Sequence, residues 1–133
     1  MRIDHFALWV QDLALIRDFY ATWFGTSSSE RYENPTKGFA SHFLTFPNGG
    51  RLEIMSRIDV DQRPAAETLG YCHLSISVGG EQRVDELSAQ MQASGLQIID
   101  GPRRTGDGYY EAVVLDPENN RIELKAFGFE LGV

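Results

Sequence analysis

Leu115-Asp-Pro-Glu-Asn-Asn-Arg-Ile-Glu-Leu124 reads as the end of one strand, a tight turn and a second strand. Asp116-Pro117 and Asn119-Asn120 are turn formers. Beyond the turn the residues alternate, with Arg121, Glu123 and Lys125 on one face and Ile122, Leu124 and Ala126 on the other. Glu123 is therefore a carboxylate in mid-strand, where glutamate is disfavoured. Phe46-Pro-Asn-Gly-Gly-Arg-Leu-Glu-Ile54 repeats the pattern. Pro47 and Pro117, Arg51 and Arg121, and Glu53 and Glu123 are each 70 positions apart. One offset shared over a whole hairpin marks an internal repeat.

The rest of the chain follows the same repeat. Ile3 to Val10 reads as a strand, with Phe6, Leu8 and Val10 facing a core and Ile3, His5, Ala7 and Trp9 on the other face. Asp12 is placed to cap a helix carried by Leu13, Ile16, Phe19 or Tyr20, and Trp23, which Gly25 closes. Residues 27–33 hold a short edge strand, and Ala40 to Phe46 with Arg51 to Arg57 form a hairpin. The polar stretch 59–69 reads as a linker. Tyr71 to Val78 is then a strand, with Cys72, Leu74, Ile76 and Val78 on the core face and His73, Ser75 and Ser77 opposite. A helix from Glu81 to Ser94 packs through Val84, Leu87 and Met91 and ends at Gly95. Gln97 to Asp100 is a short strand, Gly101 to Gly108 a basic loop, and Tyr109 to Leu115 with Arg121 to Phe127 the last hairpin. The expected fold is α+β. Two tandem βαβββ modules form a curved mixed sheet around a metal-binding cleft. The chain 1–133 reads as one domain, with module 1 about 1–58, the linker 59–69 and module 2 about 70–133.

Composition narrows the function. The chain has 133 residues, is 42% hydrophobic and carries a net charge of −7. That balance argues against nucleic acid or an anionic membrane surface as partner. A single cysteine, Cys72, excludes an internal disulfide, and its core parity suggests a buried, inert thiol. No signal or membrane-spanning run is apparent, so a cytoplasmic protein is expected.

His5 and His73 are 68 positions apart, with Gly79-Gly80 absorbing the difference from the hairpin offset. Each module thus offers one histidine on its first strand and one glutamate on its last, all on the face opposite the apolar one. Two imidazoles and two carboxylates with no thiolate suit one divalent ion of the Ni, Zn, Co, Mn or Fe kind. A lone strand histidine or glutamate is ordinarily structural or solvated. Here that explanation would have to hold four times at repeat-related positions. His42 lies on the apolar parity of its strand and reads as structural. Arg103-Arg104-Thr-Gly-Asp-Gly-Tyr-Tyr110 lacks the Lys-Ser/Thr ending of a phosphate loop; it closes over an anionic substrate or is a solvated turn.

Ile3-Asp-His5-Phe, Arg51-Leu-Glu53-Ile, Tyr71-Cys-His73-Leu and Asp116-Pro with Arg121-Ile-Glu123-Leu together resemble the vicinal oxygen chelate superfamily. That superfamily includes glyoxalase I, methylmalonyl-CoA epimerase, extradiol dioxygenases, fosfomycin resistance proteins and bleomycin-binding proteins. The resemblance implies a metal held by His5, Glu53, His73 and Glu123. Glu53 at the second ligand position favours the glyoxalase I branch, whose chemistry is proton transfer beside a metal-polarised carbonyl. The resemblance makes Glu123 the base, with Glu53 its counterpart. An extradiol dioxygenase, an epimerase or a non-catalytic drug-binding protein are the alternatives. Bacterial glyoxalases carry an Arg four residues after the first His and an Asn four after the first Glu, which help hold glutathione. Here those positions are Trp9 and Arg57. Trp9, Arg57, Arg104 and Tyr109 are the expected contacts to a small-molecule substrate. The resemblance to bacterial glyoxalase I also implies a homodimer with sites shared between subunits.

Overall fold

The turn at Asp116 shows how local chemistry sets the second sheet. The buried Asp116 carboxylate accepts from the backbone N–H groups of Glu118 (2.8 Å) and Asn120 (2.9 Å) and from the Asn120 side chain. Asn119 takes the left-handed conformation this turn requires, at φ 67°. The two strands it joins, β8 (Tyr110–Leu115) and β9 (Arg121–Ala126), pair antiparallel with Val113 opposite Glu123.

The computed structural model describes residues 1–65 and 67–128. The chain divides into two compact units, the first covering Met1–Ala65 and the second the remainder. No described helix is long and apolar enough to cross a membrane.

In the first unit, β1 (Phe6–Trp9) leads into α1 (Leu13–Phe24), followed by β2 (Ser27–Ser28), β3 (Tyr32–Asn34), β4 (Phe39–Thr45) and β5 (Arg51–Arg57). The strand order is β1-β5-β4-β2, with β3 also on β4. β1 lies parallel to β5, and the other pairs are antiparallel. Asp12 caps α1 by accepting from Leu15 N at 3.0 Å, and Gly25 ends it at φ 67°. Leu13, Ile16, Phe19 and Tyr20 of α1 bury against Ala40, Leu44, Leu52 and Ile54 of the sheet.

The second unit repeats the plan. β6 (His73–Gly79) leads into α2 (Glu81–Ala93), then β7 (Ile98–Arg104), β8 and β9, in the order β6-β9-β8-β7. β6 is parallel to β9. Val84, Leu87 and Met91 of α2 cover Ala112, Val114, Ile122 and Leu124. Two tandem mixed α+β modules are thus present, each with its own sheet and helix.

Four local expectations need correction. Phe6 is 45% exposed, not core, because β1 is a sheet edge with a neighbour on one side only. Cys72 is exposed and precedes β6, so strand parity does not reach it. Tyr32–Asn34 adds a strand, giving the first unit two short edge segments where one was expected. The basic loop is half strand: β7 continues through Gly101 to Arg104, with register shifts on either side of Asp100. A Cβ on Gly101 would lie 2.5 Å from the Glu111 carbonyl oxygen, so only glycine allows β8 to approach there.

Candidate metal centre

β1 and β5 pair in parallel with Ala7 beside Glu53, which sets His5, just before β1, next to the Glu53 carboxylate. His5 Nε2 is 3.6 Å from Glu53 Oε1. In the second unit, β6 and β9 pair with Ser75 beside Glu123, and His73 Nε2 is 3.3 Å from Glu123 Oε2. Two donors each about 2.1 Å from one ion are roughly 3.0–3.4 Å apart at 90–109°. Both pairs sit close to that spacing, and both offer the imidazole edge and a carboxylate oxygen. The residues fit a divalent ion in chemistry and in spacing. Each unit brings together one histidine and one glutamate. Among the described residues no group of three or more His, Cys, Asp or Glu side chains converges.

Each pair has a supporting group that the sequence reading passed over. Asp4 Oδ2 lies 2.7 Å from His5 Nδ1 and accepts from Arg51 Nη2 at 2.7 Å. The His5 bond and the Arg51 charge hold the Asp4 carboxyl below its ordinary range. An Nδ1–H donated to Asp4 leaves the Nε2 lone pair toward Glu53, the arrangement of a carboxylate–histidine–metal relay. In the second unit, Ser75 Oγ donates to Glu123 Oε1 at 2.7 Å, leaving Oε2 for His73. Glu111 lies diagonal to Glu123 on β8. Burial first, then the Glu123 charge, raises the Glu111 carboxyl above its ordinary value. The signal for Ser75 was present in strand parity, which had set it beside His73; nothing gave it a role until its partner was known.

The expected substrate contacts lie at several places. Arg57 donates from Nε to Asp59 and sits 5.0 Å over the Trp9 ring. Trp9 meets Phe39 edge to face at 6.2 Å. Tyr109 lies under Lys125 Nζ at 3.5 Å, and Lys125 shares the Glu123 face of β9. Arg104 is on β7, at the opposite edge of the sheet from His73, bonded to Glu81 and to the Gly108 carbonyl at 3.1 Å. Arg103 pairs with Asp100, so both arginines of the basic segment have acidic partners. His42 is buried at 6% exposure, its Nδ1 3.0 Å from the Ser29 carbonyl, which is a structural role.

The family model described as the glyoxalase/bleomycin resistance protein/dioxygenase superfamily matches residues 2–124. The chain belongs to that superfamily. Solved structures agree in fold. A glyoxalase/bleomycin resistance protein/dioxygenase domain from a Frankia species has a TM-score of 0.80 at 17% identity, covering 98% of this chain and 94% of that one. The trypanothione-dependent glyoxalase I of Leishmania major has a TM-score of 0.76 at 25% identity, with coverage of 95% and 86%. A fosfomycin resistance protein from Listeria monocytogenes, in complex with Mn(II) and sulfate, has a TM-score of 0.73 at 19% identity, with coverage of 97% and 94%. No curated protein matches this chain. The superfamily contains enzymes of several reactions, so membership fixes the scaffold and leaves the reaction to the site.

Proposed function

We propose that this superfamily member is a metal-dependent lyase or isomerase of the glyoxalase I kind, acting on a small molecule by moving a proton next to a carbonyl. The observation that carries the reading is the pair of His–Glu couples, His5–Glu53 and His73–Glu123, at repeat-related positions with imidazole Nε2 facing a carboxylate oxygen. One divalent ion (Ni, Zn, Co, Mn or Fe) held by the four side chains would polarise the substrate carbonyl and acidify the neighbouring C–H. Glu123 takes that proton on Oε2 while Ser75 keeps Oε1 fixed. Glu53 is its counterpart, returning a proton in the second half of the reaction. Asp4 holds His5 in one tautomer throughout.

Each unit supplies half the ligands, so the site is complete only where a first and a second module meet. We infer that they meet across the two-fold axis of a homodimer. Support comes from β1 and β6, each an outer strand of its sheet, with Phe6 and Trp9 exposed and Leu74 and Ile76 only half buried. Apolar sheet edges of this sort are covered in natural proteins. The test mixes two inactive variants, His5→Ala and His73→Ala, and reads Ni²⁺ binding by calorimetry. In a shared-site dimer the heterodimer has one intact site and one carrying both defects, so binding is partly restored. No recovery after verified subunit exchange places each site within one chain. Equal Ni²⁺ binding by wild type and His73→Ala refutes the site itself.

A further inference from the structure

We propose that the metal centre has two anchored ligands, His5 and Glu123, and two exchangeable ones, Glu53 and His73, and that positions 7 and 72 set which are which. This rests on the metal-site reading and adds how the site holds and yields its ligands. The first pair fixes its imidazole. Asp4 Oδ2 lies 2.7 Å from His5 Nδ1, the ring nitrogen that does not face Glu53. The second pair fixes its carboxylate instead. Ser75 Oγ donates at 2.7 Å to Glu123 Oε1, the oxygen that does not face His73. Among the described residues, no acceptor lies within hydrogen-bond distance of His73 Nδ1 and no donor within that distance of the Glu53 carboxylate.

The repeat shows where each support was gained or lost. Asp4 and Cys72 are 68 positions apart, as are Ala7 and Ser75, the same offset that relates His5 to His73. Ala7 lies beside Glu53 in the register that sets Ser75 beside Glu123. Each unit therefore has one supporting side chain and lacks the other. Cys72 offers only a thiol, a weak acceptor, and Ala7 offers no polar atom. Arg121 repeats Arg51, but where Arg51 bonds Asp4, Arg121 bonds Glu67 of the linker. That pair brings no acid to His73 Nδ1. Exposure does not account for the difference, since the His5 and His73 side chains are 33% and 36% exposed. An outer partner fixes a histidine in one tautomer and orientation, and a hydrogen bond does the same for a carboxylate rotamer. A ligand without such a partner turns away from an ion more readily. With one of each kind in both pairs, each half stays attached through its anchored member while the other gives way to an incoming ligand.

Supplying the missing supports tests this. Cys72→Asn gives His73 a neutral oxygen acceptor, and Ala7→Ser gives Glu53 a hydroxyl donor. Both positions are exposed, so the cores are left intact. Each variant is expected to bind Ni²⁺ about tenfold tighter than wild type in calorimetry, with Cys72→Ala unchanged. A variant without that gain overturns the proposal. So does a loss in Cys72→Ala, which would make the thiol itself a ligand. The ring proton gives a second readout that needs no ion. Histidine side-chain ¹H–¹⁵N correlation spectra are recorded on the metal-free proteins at a pH above the ordinary histidine range. His5 is expected in the Nδ1–H form alone. His73 is expected to populate the Nε2–H form, from which Cys72→Asn shifts it toward Nδ1–H. His73 wholly in the Nδ1–H form in the wild type overturns the proposal whether or not Ni²⁺ binds. If Ni²⁺ binds none of the proteins, the metal-site reading falls, and spectra as expected still support the unequal hold on the two rings.

Discussion

Asp4 gives the sharpest test of how the first His–Glu pair is built. Replacing Asp4 by Ala removes the acceptor for His5 Nδ1 and the partner of Arg51 Nη2, both at 2.7 Å. Without it the imidazole is free to place its proton on Nε2, the atom that faces Glu53. Loss of such outer partners costs about 10–100-fold in metal affinity. The Asp4 side chain is 64% exposed, so water replaces part of what is lost, and about tenfold is expected. Arg51 also lies 4.8 Å over the Phe43 ring, which keeps it in place when Asp4 is gone and limits secondary disorder. Asp4→Asn retains an oxygen acceptor for Nδ1–H and is expected to stay within about threefold of wild type, since the neutral amide still fixes the tautomer. The pH dependence follows from the depressed Asp4 carboxyl. A group with a lowered folded-state value contributes fully above its unfolded value, about 3.9, and loses that contribution as pH falls through the folded one. The Asp4 carboxyl is therefore ionised throughout the range from pH 6 to 8. Calorimetric Ni²⁺ titrations of the three proteins at those two pH values decide the matter. Wild-type affinity in Asp4→Ala, or equal losses in Ala and Asn, would refute the relay.

Two further perturbations address the second unit. Ser75→Ala removes the donor to Glu123 Oε1 and is expected to weaken Ni²⁺ binding about tenfold, a hydrogen bond to a charged group being at stake; Ser75→Thr restores it, and a Thr variant as weak as Ala would show that side-chain volume rather than the hydroxyl matters. Asp116 is raised above its ordinary value by burial, against the opposing hydrogen bonds of Asn120 and Glu118, so the folded chain binds this proton more tightly than the unfolded one. Its stabilising contribution is present below the unfolded value, about 3.9, and declines as pH rises through the folded one. Asp116→Asn should therefore gain stability relative to wild type on going from pH 4 to pH 7 in urea unfolding, and a relative loss over that range would reverse the assignment.

Where a pattern had two independent reasons to hold, the sequence was a sufficient guide. β5 runs Arg51–Arg57 as expected because turn residues and strict alternation fix its start and its facing together. α1 begins at Asp12 and stops at Gly25 because a side-chain cap and a left-handed glycine bound the apolar stripe. β1 and β6 were harder to read. Alternation gives a strand its two faces, but an outer strand buries neither fully, so Phe6 carries core parity without core burial, and Cys72 lies before β6 begins. The end of β7 was hidden for another reason. Gly101-Pro102 has the composition of a turn, yet here the glycine admits the Glu111 carbonyl and the strand goes on past it. The four proposed ligands were visible because ligand type and repeat spacing coincide. Asp4, Ser75 and Glu111 were not, since a supporting group is defined by the atom it touches and no residue spacing encodes that contact.

The two units also show how a repeat divides its work. Duplication preserves what the sheet demands: the apolar face under each helix, the turn before each last strand, and one histidine beside one glutamate. It leaves the other positions of the open face freer to diverge, because the module's helix packs on the opposite face. In the first unit they have become rings, with Phe43 beside His5 and Trp9 against Phe39. In the second they are hydrogen-bonding and charged, with Ser75 on Glu123, Glu111 diagonal to it and Lys125 over Tyr109. The first His–Glu pair thus has aromatic neighbours and the second polar ones. That asymmetry gives the two glutamates different environments, Glu123 bonded to Ser75 and diagonal to Glu111 while Glu53 lies beside Phe43. Two carboxylates in unlike surroundings are what a reaction that takes a proton at one place and returns it at another requires.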